Sequence, residues 1–432
     1  MSQGKKLYFI SDLHIGGEGI LNRFTARKKF IALLDKLKKE SKKYDLTLYI
    51  LGDFLNLWEI QSHKELDKFN HIVQSHPKIF QKIKQVGRLI TINVIPGNHD
   101  HELACFKEYP RLFKKWNLNL LQQENLSISI NNKKIWVEHG NRFDSANKIE
   151  RFGDINDTPY GYHVQKNIIL KIINYAQKHP CKNPWLADLP FFNYPYKIGP
   201  GWFISNYFYK ELAPFLRYLL TPFFILFIFN LVILIFSILT YTDLIKTPDI
   251  FYITNYLGPV KYLTNFVIGY NLILLIVYLS FYLAYRVIKK DLKNSLKDYG
   301  INLKSKNYDI NRHRWHETAK NFLAQNKEHE ILIFGHSHTD FMEKHKNKII
   351  VNTGSWTKTF KPIKTWSNLP NVYIPYFKLS YLIITPVDQN KLKLELKYWP
   401  KKAKVNLTKT QKISTLFKKV DTPSLKDKTL II

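Results

Sequence analysis

The sequence predicts an α/β domain interrupted by an apolar hairpin. Three observations predict it: short apolar runs alternate with lysine-rich helical stretches, clusters of Asp, His, Asn and Gly close five of those runs, and two charge-free segments stand in mid-chain. With 432 residues, 45% of them apolar and 15% aromatic, the chain can bury a sizeable core and carry something beyond it.

The first run, residues 7–10, follows the start almost at once and is too short for a signal-peptide core, so export by a cleaved signal is not expected. Residues 27–43 read as a helix leading to the second run, 46–51. Further runs lie at 89–95, 134–137 and, far downstream, 331–334. Loops beyond the carboxyl ends of strands converge at one edge of an α/β sheet, which is where such sheets place ligands. No repeat of fixed period is visible. The expected organisation is a first part of the α/β domain over 1–152 and a Pro- and aromatic-rich lid or membrane-surface segment over 153–212. A hairpin follows over 213–290, then the second part of the domain over 291–404 and a peripheral basic tail over 405–432.

The hairpin rests on residues 219–239 and 266–285, each near the roughly 20 residues a helix needs to cross a bilayer core. In the first, the only polar side chains are Thr221, Asn230 and Ser237, and both segments are apolar on all faces. The connection carries Lys246 and Lys261, whereas Arg286, Lys289, Lys290, Lys293 and Lys297 follow the second segment. Positive charge favours the cytoplasm, so the expectation is a two-pass integral membrane protein with both halves of the split domain on the cytoplasmic side. Cys105 and Cys181 alone cannot form a disulfide framework and include no CxxC pair, which suits that compartment. The net charge of +31 favours phosphorylated substrates, anionic lipid headgroups or nucleic acid without choosing among them, and the scattered lysines also read as a solvated surface.

The first cluster, Asp12-Leu13-His14, sets a carboxylate and an imidazole two positions apart; the second is Gly52-Asp53. Each alone is a weak signal, GD being a common turn dipeptide. The third, Pro96-Gly97-Asn98-His99-Asp100, is more specific: an amide oxygen can coordinate, an imidazole can protonate a leaving group, and Asp100 can orient that imidazole. The fourth is Glu138-His139-Gly140, followed by Asn141, Arg142, Phe143 and Asp144. The fifth is Gly335-His336-Ser337-His338. A lone histidine in any of them would read as an ordinary core residue.

In this order the clusters resemble the calcineurin-like metallophosphoesterase superfamily, whose pattern is D-x-H, G-D, G-N-H-[DE], an isolated H and G-H-x-H. The resemblance covers about residues 5–145 and 328–360 and says nothing of the hairpin. It implies a four-layer α/β/β/α sandwich, here with an inserted two-helix transmembrane hairpin. It also implies two divalent ions: Asp12, His14, Asp53 and His338 on one, Asp53, Asn98, His139 and His336 on the other, with Asp53 as the bridge. His99 would be the general acid and phosphate contact, supported by Asp100. Oxygen and nitrogen ligands without thiolate suit Mn, Fe or Zn, with Mn favoured.

The wording SDLHIGG, GDFLNLWE and HGNRFD is nearest to the branch containing UDP-2,3-diacylglucosamine pyrophosphohydrolases, which act on a membrane-embedded nucleotide-lipid. Two departures stand against a direct transfer: that group has Arg where this chain has His99, and its soluble members lack transmembrane spans. Arg142 is a candidate phosphate clamp, since guanidinium matches phosphate geometry. Asn56, Trp58 and Asp144 are candidate supporting residues, Trp58 equally a packed aromatic. Gly354 reads as backbone geometry. The leading expectation is a membrane-anchored phosphohydrolase on a phosphoester or pyrophosphate, its substrate a nucleotide-lipid, phospholipid or similar anionic molecule. The alternatives are a metal-dependent nuclease or other phosphodiesterase on a soluble substrate, and a non-catalytic membrane scaffold.

Overall fold

The computed structural model describes residues 4–22, 24–178, 185–186, 188, 199–212, scattered positions between 232 and 287, 310–365, 369–416, 418, 420 and 425–432. It divides into two compact units, one of Met1–Asn206 with Ile310–Ile432, the other Tyr207–Asp309.

The first unit is built on two sheets. The larger has seven strands in the order β14 (Lys428–Ile431), β13 (Leu392–Trp399), β12 (Leu379–Pro386), β1 (Gly4–Ile10), β2 (Tyr44–Leu51), β3 (Thr91–Ile95) and β4 (Asn119–Leu120). Its half from β1 to β4 is parallel, whereas β12, β13 and β14 extend it beyond β1 through successive antiparallel pairs. The smaller runs β5 (Asn125–Ile130), β6 (Lys133–Glu138), β7 (Ile331–Phe334), β9 (Lys348–Asn352) and β8 (Phe341–His345), with β6, β7 and β9 parallel. A hairpin of β10 (Lys358–Ile363) and β11 (Val372–Phe377) stands apart from both.

Three apolar cores define the layering. Leu7, Phe9, Leu51 and Ile95 of the larger sheet meet Ile135, Val137, Ile331 and Ile333 of the smaller one face to face. On its other side the larger sheet packs against α1 (Arg27–Glu40), α2 (Leu66–Ser75) and α3 (Pro77–Val86). The short helices α4 (Glu102–Cys105) and α5 (Tyr109–Lys114) complete that side. In α1 the buried residues are Phe30, Leu33, Leu34 and Leu37, the i, i+3, i+4, i+7 stripe of a helix with one face on a core. Each such side chain stabilises by roughly 1.5–3 kcal/mol on burial.

Further along, α6 (Tyr160–Val164), α7 (Leu170–Lys178) and α8 (Gly199–Asn206) precede α9 (Ile310–Gln325). Trp315, Ala319 and Leu323 of α9 pack on Leu332, Phe334 and Ile350 of the smaller sheet. The order is therefore helices, sheet, sheet, helix, as the resemblance implied. With both faces covered, residues 7–10 of β1 and all of β7 read as unbroken apolar runs instead of alternating ones.

The tail expected to be peripheral contributes structure. It supplies α10 (Lys409–Ser414), with a capping box between Thr408 and Gln411, and the edge strand β14 paired to β13. Within the segment anticipated as a lid or membrane-surface element, Trp185, Leu186 and Trp202 cluster with Ile169, Leu170 and Ile173 around α7. No helix among the described residues is long and apolar enough to cross a membrane. The spans expected at 219–239 and 266–285 lie almost entirely outside the described residues, as does Cys181.

Candidate metal centre

All five clusters sit just beyond the carboxyl ends of parallel strands: Asp12 after β1, Asp53 after β2, Asn98 after β3, His139 after β6 and His336 after β7. The ladders continue past the strand ends and hold the turns in place. Asp12 N donates to Gly52 O at 3.2 Å, His14 N to Asp53 O at 2.9 Å, and Gly335 N to His139 O at 2.8 Å. Glycine is required where backbone meets side chain, since a Cβ on Gly97 would run into the Asp53 carboxylate and one on Gly335 into Ser11 and Asp12. Five of the seven predicted ligands adopt left-handed backbone: Asp12 (φ 54°), His14 (50°), Asp53 (48°), His336 (64°) and His338 (50°). Such φ values are uncommon for residues other than glycine and concentrate where a site over-determines them.

Two donor groups result. In the first, His338 Nε2 lies 3.0 Å from Asp12 Oδ1 and 3.1 Å from His14 Nε2, and His14 Nε2 lies 3.6 Å from Asp53 Oδ2. In the second, Asn98 Oδ1 is 3.1 Å from both His139 Nε2 and His336 Nδ1, and His139 Nε2 is 3.4 Å from the same Asp53 Oδ2. Asp53 therefore stands between the two.

The donors fit divalent ions. Bonds of ~2.1 Å at right to tetrahedral angles place ligand atoms ~3.0–3.4 Å apart, the spacing seen here. Asp12 Oδ1 is buried without a hydrogen bond, an acceptor that a cation would satisfy. Asp12, His14 and His338, and likewise Asp12, Asp53 and His139, group as possible metal ligands.

Partners behind the donors fix their orientation. His139 Nδ1 donates to Leu51 O at 2.8 Å, which leaves Nε2 as the coordinating atom. His336 is held from the opposite side, Nε2 at 3.1 Å from Asp144 Oδ2, so Nδ1 faces Asn98. Burial opposes charge at Asp53, but the imidazoles of His139, His99 and His14 outweigh it and hold its carboxyl well below the ordinary range. His139 answers in kind: burial pulls it down, Asp53 outweighs that, and it is pushed up to about 10.

His99 is half-buried. Its ring stacks on Trp58 with centroids 4.0 Å apart at 30°, and meets His14 edge-on at 4.8 Å. Asn56 Oδ1 lies 3.3 Å from its Nδ1, and the Asn56 amide nitrogen donates to Glu59, which orients that oxygen. Glu59 is a buried supporting residue that sequence reasoning missed; the only sign of it was a charged side chain just after the second cluster.

Two sequence expectations need correction. The Asp100 carboxylate does not meet the His99 ring. Its oxygens accept from the backbone N–H groups of Gly97 (2.6 Å), Asp53 (3.2 Å) and Leu55 (3.0 Å), binding the second and third turns together. Burial and the Asp53 charge push its carboxyl up to about 7 despite those donors. Arg142 is engaged elsewhere: its Nε lies 2.9 Å from Glu138 Oε2 and its guanidinium covers the Phe322 ring at 4.1 Å. The turn after β6, with Gly140 in the left-handed region and a 3-10 turn over Asn141–Phe143, brings Arg142 back to the buried Glu138.

A family model described as calcineurin-like phosphoesterase matches residues 5–188. A curated UDP-2,3-diacylglucosamine hydrolase from Porphyromonas gingivalis is 21% identical over 188 residues, which are 43% of this chain; the match spans 61% of that relative's length. Among solved structures, a dimetal phosphatase from Danio rerio aligns over 92% of this chain and 96% of its own, at 8% identity and a TM-score of 0.34. A conserved uncharacterised protein from Streptococcus pneumoniae TIGR4 aligns over 92% and 91%, at 10% identity and a TM-score of 0.27. The family match spans four of the five clusters, from Asp12 to His139, so this part of the chain is similar to calcineurin-like phosphoesterases.

Proposed function

We propose that the chain is a metal-dependent phosphohydrolase that cleaves a phosphoester or pyrophosphate bond at the edge where the two sheets meet. The observation that carries this is the position of Asp53 Oδ2, 3.6 Å from the His14 imidazole and 3.4 Å from that of His139. One carboxylate thus serves two donor groups, an arrangement of oxygen and imidazole ligands suited to Mn, Fe or Zn. Bound there, such ions would supply Lewis acidity to the phosphoryl oxygens and a nucleophile at neutral pH. His99 does the rest of the chemistry assigned to this chain. With Nδ1–H directed to Asn56 Oδ1 and the ring held flat on Trp58, its Nε2–H is the proton offered to the leaving oxygen.

The domain is further proposed to be held at a membrane by the apolar pair 219–239 and 266–285, with its site on the cytoplasmic side and a lipid-linked anionic substrate such as a nucleotide-lipid. The name of the curated relative, a UDP-2,3-diacylglucosamine hydrolase, supports that class of substrate.

The test is turnover of detergent-solubilised, Mn-loaded protein on a chromogenic phosphodiester, on a nucleotide-lipid pyrophosphate and on single-stranded DNA. Activity on the first two is expected, with His99→Ala losing ~10²–10⁴-fold in kcat at unchanged metal content. Inactivity on every phosphoester class would end the proposal, and preference for DNA would transfer the site to a nuclease.

A further inference from the structure

Away from the Asp53 centre, Glu18, His63 and His71 bring candidate ligand atoms within 4.8 Å of one another. We propose that these three residues form a separate cation site for a zinc-class transition metal.

The carboxylate and one of the imidazoles are held from behind. Glu18 Oε1 accepts from the backbone N–H groups of Gln61 at 3.2 Å and Ser62 at 2.9 Å, and from the Ser62 hydroxyl. That leaves Oε2 for a ligand. The same hydroxyl lies 2.6 Å from His63 Nδ1. Since it already donates to Glu18, it accepts from Nδ1–H, and His63 presents the lone pair of Nε2. A ligand histidine whose other ring nitrogen is tied to a polar partner is the arrangement found behind metal sites.

His71 lies on α2, and its ring centroid is 4.3 Å from that of His63 at 30°. Two imidazolium ions that close would repel, so the pair suits neutral rings sharing a cation. Glu65, at φ 43° ahead of α2, turns the chain so that His63 comes back against His71. Two imidazoles and one carboxylate give three protein ligands and an open position, a donor set for Zn or its neighbours and a poor one for Mg or Ca. His63 and His71 also help to line a hollow of ≈ 460 Å³.

The site also has a structural consequence. Glu18 belongs to the turn after Asp12 and His14, and its N–H donates to Glu59 O at 3.3 Å. An ion there ties that turn to α2 and braces the segment carrying Asn56 and Trp58, the two neighbours of His99.

The test compares bound-metal equivalents in full-length, detergent-solubilised protein stripped with chelator and dialysed against Zn(II) or Co(II). The wild type is expected to hold one equivalent more than His63→Ala/His71→Ala, and Co(II) spectra to lose one component in the variant. Glu18→Gln, a polar replacement for a partly exposed side chain, should weaken that same equivalent tenfold or more. Equal stoichiometry in wild type and both variants, with matching metal-free melting curves, would overturn the proposal. Because the readout is a difference, absence of ions at the Asp53 centre would lower every total equally and leave the difference standing.

Discussion

Asp144→Asn is the most informative single change, because Asp144 supports only one of the two donor groups. His336 Nε2 lies 3.1 Å from Asp144 Oδ2, with both side chains buried. Burial works against the Asp144 charge, yet His336 and the donors Asn147 and Ala146 N outweigh it and hold the carboxyl below its ordinary range. The contact is thus a hydrogen bond to an ionised acceptor, contributing ~1.5–3 kcal/mol against ~0.5–1.5 for a neutral pair. Asparagine at 144 therefore costs about 1–1.5 kcal/mol of orientation, and further affinity if the amide presents its NH₂ and reverses the His336 tautomer. Changes behind a ligand histidine commonly cost ~10–100-fold in metal affinity. That range is expected for the Asn98, His139 and His336 group, with the Asp12, His14 and His338 group unchanged. Stepwise Mn(II) titration of the metal-free protein, followed by electron paramagnetic resonance, separates the two. Equal weakening of both steps, or of neither, would refute the assignment of Asp144 to one site.

Asp100→Asn should act on stability more than on the proton donor, since the carboxylate ties three backbone N–H groups and does not meet the His99 ring. A loss of ~1–3 kcal/mol in denaturant unfolding is expected, with the pH profile of kcat unmoved; a displaced acid limb would return Asp100 to His99. Trp58→Ala removes the face on which His99 rests, and kcat should fall ~2–10-fold at full metal occupancy, the equivalent of ~0.5–1.5 kcal/mol of aromatic contact. Glu40 supplies the pH prediction. Burial raises its pKa, but hydrogen bonds from Tyr8 and Lys6 outweigh it and hold the carboxyl below its ordinary 4.5. A depressed folded pKa gives stability that is present above about 4.5 and is lost as pH falls through the folded value, so Glu40→Gln should flatten that part of the acid unfolding curve. An unchanged acid limb in the variant would rule the contribution out.

What the sequence disclosed follows from how each residue is used. The runs within β1 and β7 were legible because central strands covered on both faces are apolar there, β2, β3 and β6 show shorter apolar stretches, and each leads into a turn that carries ligands. Strand β13 was harder to see, because its buried Leu392, Leu394 and Leu396 alternate with lysines and a glutamate and mimic a solvated stretch. Residue type likewise announced that Asp100 and Arg142 were chemically capable, but not which way they face. Direction depends on the turn after β6 and on turns whose N–H groups need an acceptor, and on partners as distant in sequence as Phe322 and Arg142. Asp144 and His336, 192 positions apart, are joined only by the parallel pairing of β6 with β7.

The left-handed backbone at the ligands links the fold to the chemistry. Among the described residues, ten other than glycine have positive φ, and five of those are Asp12, His14, Asp53, His336 and His338. Each costs ~1–3 kcal/mol, so the conformation persists only because its surroundings impose it. The restraint is visible in the bonds that cross the turns: His14 N to Asp53 O, Trp356 N to Asp12 O and Gly335 N to His139 O, with Asp100 binding the second turn to the third. These bonds rest on strands whose side chains fill the core between the sheets, so hydrophobic burial sustains the strain at the edge. The donors then stand at coordination spacing through the fold's own interactions, and an arriving ion need not order the turns it binds.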